Sequence, residues 1–192
     1  MRYLEERIAN EGKILAGNVL KVGHFVNHQI DITLLSEMAD ELARLYADSG
    51  VTKILTIEAS GIALAAAVAL RMGLPMVFAK KGTSANVSDE VYSCQVTSFT
   101  HHKTYDVTVP KPYLTRDDCV LIVDDFLAVG NALRGLLSIL QEAGAKVAGC
   151  GIIIEKGFQG GGDELRAKGI RVESLAIVEE MNAETGEIRF RR

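Results

Sequence analysis

The segment from Val120 to Leu133 places an apolar strand, two adjacent carboxylates and a short turn directly before a helix. The strand is Val120 to Val123, the acids are Asp124 and Asp125, and Gly130 lies in the turn. At the carboxyl end of a parallel strand such acids can accept hydrogen bonds from sugar hydroxyls, and the N-terminus of the next helix favours a phosphate. The pattern therefore predicts a site for a phosphorylated sugar. The alternative is that the acids only end a strand and cap a helix.

Strand and helix signals alternate along the middle of the chain. The predicted strands are Lys53 to Ile57, Pro75 to Ala79, Cys119 to Val123, Val147 to Ile154 and Arg171 to Val178. The predicted helices are Gly61 to Met72 with Ser60 as N-cap, a leucine-rich helix that Gly144 ends, and Asp163 to Lys168. Apolar strands separated by helices indicate an α/β fold with a parallel sheet covered on both faces, and ligands bind beyond the carboxyl ends of its strands.

We expect three loops to meet at that edge of the sheet, and they are Glu58 to Gly61, Asp124 to Ala132 and Glu155 to Phe158.

Two regions depart from this alternation. Near the N-terminus, helical stretches at Arg2 to Glu11 and Leu34 to Ser49 flank an irregular segment from Leu20 to Ile32. Between Lys80 and Thr115 the sequence favours a hairpin, with strands near Val91 to Thr100 and Thr104 to Val109. A long insertion at the ligand edge suggests a mobile lid, and a plain surface hairpin is the alternative.

Composition limits the classes of protein to which the chain can belong. With 192 residues it is long enough for one substantial core, so we expect a single domain. The net charge of -4, without a cluster of lysines and arginines, argues against a nucleic-acid partner. Apolar runs are shorter than the roughly 20 residues that span a membrane, and the charged N-terminus is unlike a signal peptide. We therefore expect no membrane partner and a cytoplasmic location.

The cysteines and histidines do not predict a metal site. Cys94, Cys119 and Cys150 lack metal-ligand spacing and are expected to be reduced. His24 and His28 have the spacing of ligands on one helical face, but the sequence places no third ligand beside them.

The segment from Val120 to Ala132 resembles the phosphoribosyl-pyrophosphate (PRPP) motif of the type I phosphoribosyltransferases. In that motif two acids follow apolar residues, and a Thr-Gly pair and a second Thr come after them. Val129 and Ala132 occupy the two Thr positions, so phosphate binding is expected to rely on main-chain N–H groups and on the Asn131 amide. The resemblance implies that Asp124 and Asp125 are the catalytic residues. The residues of this loop expected to bind PRPP are Ala128, Val129, Gly130, Asn131 and Ala132.

Two further segments resemble the same family. Ile57 to Gly61 looks like its pyrophosphate-binding loop, which implies PRPP contacts from Glu58, Ala59, Ser60 and Gly61. Lys80 and Lys81 are expected to neutralise the pyrophosphate, and a solvated lysine pair is the alternative. Ile154 to Phe158 looks like the purine-binding strand end.

The segment from Val19 to Asp31 resembles the N-terminal hood of one branch, the bacterial xanthine phosphoribosyltransferases. Leu20, Asn27 and Lys156 stand at positions that contact the base in that branch, and Phe158 is placed with them. Without the resemblance, the Leu would be a core residue, the Asn a turn residue and the Lys a solvated strand end.

The resemblance implies the type I phosphoribosyltransferase fold, with a mostly parallel sheet flanked by helices, a small hood and a flexible hairpin loop. It implies one domain over residues 1–192, with the hood at about 1–50 plus the C-terminal segment and the core at about 51–156. The implied activity is transfer of the 5-phosphoribosyl group from PRPP to N9 of xanthine in purine salvage, by a homodimer. Mg²⁺ would be carried by PRPP or pyrophosphate, with no direct metal ligand from the protein.

Other functions remain open at this point. A guanine, hypoxanthine or adenine phosphoribosyltransferase would share the motif. A PRPP-sensing regulator would need a DNA-binding module, and the fifty or so residues before the first core strand carry no basic helix-turn-helix pattern. A dinucleotide oxidoreductase would need a G-x-G-x-x-G sequence after the first strand, and none is present.

Overall fold

A computed structural model describes residues 1–82, 90–97 and 104–192. The helices are α1 (Arg2–Glu11), α2 (Ile32–Leu45), α3 (Gly61–Met72), α4 (Asn131–Ala143) and α5 (Gly161–Ala167). The strands are β1 (Lys13–Leu15), β2 (Val19–Lys21), β3 (Lys53–Ile57), β4 (Met76–Lys81), β5 (Val91–Thr97), β6 (Thr104–Pro110), β7 (Cys119–Leu127), β8 (Lys146–Lys156), β9 (Val172–Met181) and β10 (Ile188–Phe190).

Most of these strands form one sheet of eight, in the order β10-β9-β8-β7-β3-β4-β6-β5. The five strands from β9 to β4 in that order are parallel, and the pairs β10–β9, β4–β6 and β6–β5 are antiparallel. The predicted mostly parallel sheet flanked by helices is thereby confirmed. At its centre lies β7, and the carboxyl end of this strand carries the two acids.

The sheet separates two apolar cores because neighbouring residues of a strand point to opposite faces. Ile54 and Leu121 pack on one face with buried residues of α1, α2 and α3. Leu55 and Ile122 pack on the other face, where α4 supplies most of the helical cover. The central strands are buried on both sides, which explains their near-continuous apolar sequence.

Local signals account for several helix ends. Gly73 and Gly144 follow α3 and α4 in the left-handed conformation, with φ of 67° and 69°. Asp31 caps α2, because its side chain accepts a hydrogen bond from the Leu34 N–H at 3.1 Å. Ser60 is the N-cap residue of α3, as predicted, but its side chain makes no capping hydrogen bond. The helix predicted to end at Ser49 ends at Leu45.

Strand boundaries differ from prediction in three places. β7 does not end before the acids but continues to Leu127, because Phe126 and Leu127 still pair with β8. The antiparallel pair β1–β2 was not predicted, and only Leu20 and Lys21 of β2 fall in the segment predicted to be irregular. The strand β10 was not predicted either. The hairpin is present as β5 paired with β6, while residues 98–100 of its predicted first strand lie outside the described part of the chain.

Within the described residues, each helix is too short or too polar to cross a membrane.

Candidate active site

Asp124 and Asp125 lie near the carboxyl end of β7 and are almost completely buried, with 5% and 6% of their surfaces exposed. The Asp125 N–H donates to Asp124 Oδ1 at 3.0 Å. Burial, and next the negative charge of Asp125, raise the pKa of Asp124 well above the usual value of an aspartate. Asp124 therefore holds a proton more strongly than an ordinary carboxyl group does.

Gly61, the first residue of α3, fits closely against this acidic pair. A methyl group added to Gly61 would collide with Thr56 Oγ1 and would lie 2.9 Å from Asp124 Oδ1. Thr56 is fully buried, and its hydroxyl has no hydrogen-bond partner among the described residues. The absence of a side chain at Gly61 thus lets the N-terminus of α3 approach the acids.

A cavity of about 210 Å³, the small cavity, opens beside the acids. Its lining residues include Glu58, Ser60, Lys81, Asp124, Asp125 and all five residues from Ala128 to Ala132. Gly130 has a φ of 87° and directly precedes α4. The first N–H groups of a helix have no intrahelical partner and carry the positive end of its dipole. The small cavity therefore combines carboxylates on one side with anion-binding backbone on the other.

Residues of α4 and α5 hold the loop that precedes α4. Arg134 donates to the Val129 carbonyl oxygen and to Asn131 Oδ1, both at 2.8 Å, and to Glu164 of α5 at 3.1 Å. Gly161 packs so tightly on the loop that an added methyl group would collide with the Ala128 carbonyl oxygen. These contacts fix the backbone of the loop without the two threonine hydroxyls that usually stand there in the motif.

The Asn131 side chain is already engaged. Its Nδ2 donates to the Thr97 carbonyl oxygen at 3.0 Å, and its Oδ1 accepts from Arg134. The amide that was expected to reach a phosphate thus joins the loop to hairpin strand β5 in this structure. The main-chain N–H of Asn131 and the second N–H of its amide are left for an anion.

The Glu58–Gly61 loop closes the opposite wall. The Glu58 carboxylate accepts from the Lys81 N–H at 2.6 Å, and the Glu58–Ala59 peptide bond is cis. Lys81 lines the small cavity, whereas Lys80 does not, and its ammonium lies 6.0 Å from the centre of the Phe78 ring. The structure therefore places only one of the two predicted lysines at the site.

A larger cavity of about 1040 Å³, the large cavity, lies between the N-terminal segment and the sheet. Leu20, Asn27 and Lys156 line it together, as do Ala59 and Ser60. Lys156 Nζ donates to the Asn18 carbonyl oxygen at 2.8 Å, and burial lowers the pKa of this lysine. Residues far apart in sequence thus converge on one space.

The two cavities adjoin. Ser60, Asp125, Phe126 and Ala128 line both of them. The Asn27 amide in the large cavity also donates to Asp125 Oδ2, the donor and acceptor being 3.0 Å apart. A ligand that fills the small cavity would therefore meet a ligand in the large cavity beside Asp125.

Comparison with known proteins agrees with this geometry. A family model described as "Phosphoribosyl transferase domain" matches residues 24–180. The chain belongs to the phosphoribosyltransferase family. The family resemblance predicted from the sequence is thereby confirmed.

Curated relatives match over the whole chain. A xanthine phosphoribosyltransferase of Bifidobacterium longum is 56% identical over 192 residues, covering 100% of both chains. A xanthine phosphoribosyltransferase of Lachnoclostridium phytofermentans is 53% identical over 191 residues, covering 100% of this chain and 98% of the relative.

Solved structures of phosphoribosyltransferases share the fold. An APRTase from Giardia lamblia complexed with 9-deazaadenine superposes with a TM-score of 0.77 at 22% identity, covering 92% of this chain and 98% of that one. An adenine phosphoribosyltransferase from Rhodothermus marinus gives a TM-score of 0.75 at 18% identity, covering 93% and 100%. At these identities the superpositions establish the fold alone.

Of the predicted strand end 155–158, only Lys156 lines the large cavity. Phe158 is 36% exposed and is not one of the lining residues. The Glu155 side chain is 1% exposed and points instead to Arg166, with which it makes a bidentate pair at 2.9 and 2.6 Å. Arg166 also contacts Asp163, which in turn pairs with Arg191 near the C-terminus.

Sequence reasoning missed three residues that shape the site of this phosphoribosyltransferase. Phe126 lines both cavities, and its ring centre is 5.7 Å from the Lys156 ammonium. An aromatic residue directly after the two acids was the available signal. Arg134 holds the loop before α4, and its place in the first turn of α4 was a signal. Thr56, in contrast, carries no signal that separates it from an ordinary strand threonine.

Proposed function

We propose that this chain transfers the 5-phosphoribosyl group from PRPP to N9 of xanthine, forming xanthosine 5'-monophosphate and pyrophosphate in purine salvage. The observation that carries the proposal is the junction at Asp125 of two cavities, one lined by the PRPP motif and the other by Leu20, Asn27 and Lys156. Relatives named xanthine phosphoribosyltransferase, 53% and 56% identical over the full chain, support this choice of base.

The small cavity is proposed to hold PRPP. Asp124 and Asp125 would accept hydrogen bonds from the ribose hydroxyls, and the loop Ala128–Ala132 would bind the 5-phosphate through its N–H groups. The Glu58–Gly61 loop would hold the diphosphate, and Lys81, which lines the same cavity, would offset its charge. Lys80 is left out of this assignment because its ammonium lies over Phe78 at the surface.

The proposed reaction is a displacement at the anomeric carbon of the ribose. Breaking the bond to the diphosphate develops positive charge on the sugar and negative charge on the leaving group. The buried carboxylates stabilise the first, and the backbone donors of the Glu58–Gly61 loop stabilise the second. Positioning both substrates side by side lowers the entropic part of the barrier.

Mg²⁺ is proposed to enter this site bound to the diphosphate of PRPP. The described residues hold no cluster of three or more His, Cys, Asp or Glu side chains. Asp124 and Asp125 are assigned to the ribose hydroxyls in this proposal, which leaves the metal on the diphosphate. Mg²⁺ commonly binds through substrate phosphates and water, and it would stabilise the developing charge of pyrophosphate.

Lys156 is proposed to distinguish the purines. An ammonium group only donates hydrogen bonds, so it suits the 6-oxo oxygen of xanthine and is mismatched with the 6-amino group of adenine. One of its three N–H groups donates to the Asn18 carbonyl oxygen, and the others are left for a ligand. Asn27 would meet the 2-oxo oxygen and the adjacent N–H of xanthine, while Leu20 would supply apolar contact.

The test is the rate of pyrophosphate release from PRPP and Mg²⁺ with xanthine, guanine, hypoxanthine or adenine. Xanthine should give the highest kcat/KM and adenine a value lower by roughly four decades, since sites built on hydrogen bonds discriminate on that scale. Equal use of adenine would refute the proposed base. PRPP binding without turnover of any purine would favour a PRPP-sensing regulator.

We also propose that the chain forms one domain and assembles as a homodimer. The consecutive elements α3 and β4 carry Leu70 and Phe78, whose surfaces are 79% and 38% exposed, and large exposed apolar side chains favour a partner surface. Light scattering should give the mass of a dimer that Leu70→Glu weakens, whereas Ile32→Glu on α2, at a position 70% exposed, should not. A monomeric wild type would refute the dimer. The cytoplasmic location stays a prediction.

A further inference from the structure

The hydrogen bond between Asn27 and Asp125 crosses from the predicted hood to the central strand. Nδ2 of Asn27 donates to Asp125 Oδ2 over 3.0 Å, between residues 98 apart in sequence. It joins the residue assigned to the base with the residue assigned to the ribose. A contact made only for the base would not need to touch the carboxylate.

A rigid turn presents the Asn27 side chain. The His28 and Gln29 N–H groups both donate to the Gly23 carbonyl oxygen, at 3.0 and 2.8 Å. Phe25 and Val26, directly before Asn27, are 1% and 5% exposed and pack in the core with α1 and α2. The backbone on which Asn27 sits is thus fixed before any ligand arrives, and its amide is preorganised toward Asp125.

Asp125 is the acid that needs such a donor. Asp125 is 6% exposed and lines both cavities, so a protein donor to its carboxylate replaces water that burial removes. Among the described residues, the Asn27 amide is the side chain that donates to Asp125. A hydrogen bond to a buried charge is about twice as strong as one between neutral groups.

We propose that Asn27 is a positioning residue for Asp125, so that the hood organises the ribose site as well as the base site. This inference rests on the proposed function. With one carboxylate oxygen held by Asn27, the other is aimed at the ribose before the purine binds. The affinity for PRPP therefore depends on Asn27 even when no purine is present, which a contact with the base alone would not produce.

The experiment is calorimetric titration of PRPP and Mg²⁺ into the protein without purine, for wild type, Asn27→Ala and Gln29→Ala. Gln29 is an exposed amide two residues away whose side chain makes no hydrogen bond within the described part of the chain, so it is the matched control. We expect Asn27→Ala to weaken PRPP binding about tenfold and Gln29→Ala to leave it unchanged. An affinity of Asn27→Ala within twofold of wild type overturns the inference.

A double-mutant cycle separates positioning from a general loosening of the hood. In an Asp125→Asn background, Asn27→Ala should cost little further PRPP affinity, because the charge that it positions is gone. A full tenfold loss in that background overturns the inference. If Asn27→Ala fails to fold, Asn27→Asp keeps the shape and turns the donor into a second carboxylate, and unchanged PRPP binding in that variant also overturns it. A wild type that does not bind PRPP refutes the proposed function itself.

Discussion

The two adjoining cavities are built in different ways. Most of the wall of the small cavity comes from one continuous stretch, Asp124 to Leu133, at the end of β7 and the start of α4. The large cavity depends on Leu20, Asn27 and Lys156, and the hydrogen bond from Lys156 to Asn18 spans 138 residues. The sheet and helix packing hold the walls of the small cavity. The large cavity is closed by the N-terminal segment, which packs through Phe25 and Val26 and makes polar contacts with Asp125 and Lys156. The proposed chemistry and the proposed choice of base are therefore carried by different parts of the chain, which meet at the hydrogen bond from Asn27 to Asp125.

The largest effect that would test this separation is expected at Lys156. Lys156→Met keeps the apolar stem and removes the ammonium, so kcat/KM for xanthine should fall toward that for adenine and reduce the preference of roughly four decades. The affinity for PRPP should change little. The measurement is the kinetic panel with four purines together with PRPP titration. An unchanged ranking of the purines would mean that Lys156 does not read the base.

A smaller effect is expected at Asp125, and it should be the same for every purine. Asp125→Asn keeps the shape but removes the charge beside the ribose, so kcat should drop by about one to two decades, or roughly 1.5 to 3 kcal/mol. Asp48→Asn, in the exposed turn after α2, is the control. A change in the order of purines, in place of a uniform loss, would break the separation between the two cavities.

Gly61→Ala tests the close approach of α3 to the acids. The added methyl group would collide with Thr56 Oγ1 and crowd Asp124, which should lower the free energy of unfolding by about 1 to 3 kcal/mol. Combining it with Thr56→Ala removes the nearer collision and should restore part of the stability. Chemical denaturation measures both variants. A Gly61→Ala protein as stable and as active as wild type would contradict this packing.

The smallest expected effect is a change in the free energy of unfolding when Asp124, which is buried, is replaced. Because the pKa of Asp124 is raised above its ordinary value of 3.8, the folded state binds this proton more tightly than the unfolded chain. The stabilisation that protonated Asp124 gives the folded state is fully present below pH 3.8. It is lost as the pH rises through the raised pKa of Asp124. Asp124→Asn should therefore gain stability over wild type by about 1 kcal/mol at pH 8, and less at pH 4. Urea unfolding at both pH values measures it, and a pH-independent difference would contradict the raised pKa.

How far the sequence predicts the structure also differs between the two cavities. The small cavity follows from a single motif, because consecutive residues at a strand end keep their neighbours in the fold. The burial of Glu155 and its pairing with Arg166 could not be found this way, since charged side chains are solvated by default. The continuation of β7 was missed because aspartate is depleted in strands. β1 and β10 have three residues each, too few for a periodic pattern.

The large cavity was predicted only through resemblance. No periodicity or spacing connects Asn27 with Lys156, and each residue has an ordinary explanation of its own. What brings them together is the packing of the N-terminal segment on the sheet through Phe25 and Val26, a long-range contact that local propensity does not encode.

The buried Glu155–Arg166 pair bears on how base preference can diverge among relatives. Glu155 directly precedes Lys156, and the Glu155 side chain is 1% exposed. If this strand end were grafted into another protein, it would therefore bring a buried carboxylate with it. Without Arg166 that uncompensated charge would cost about 3 to 5 kcal/mol, a large share of the stability of a typical domain. The strand end can therefore be transferred between proteins only together with α5, which carries Arg166. A substitution at Lys156 alone avoids this cost and is the simpler way to change the base preference.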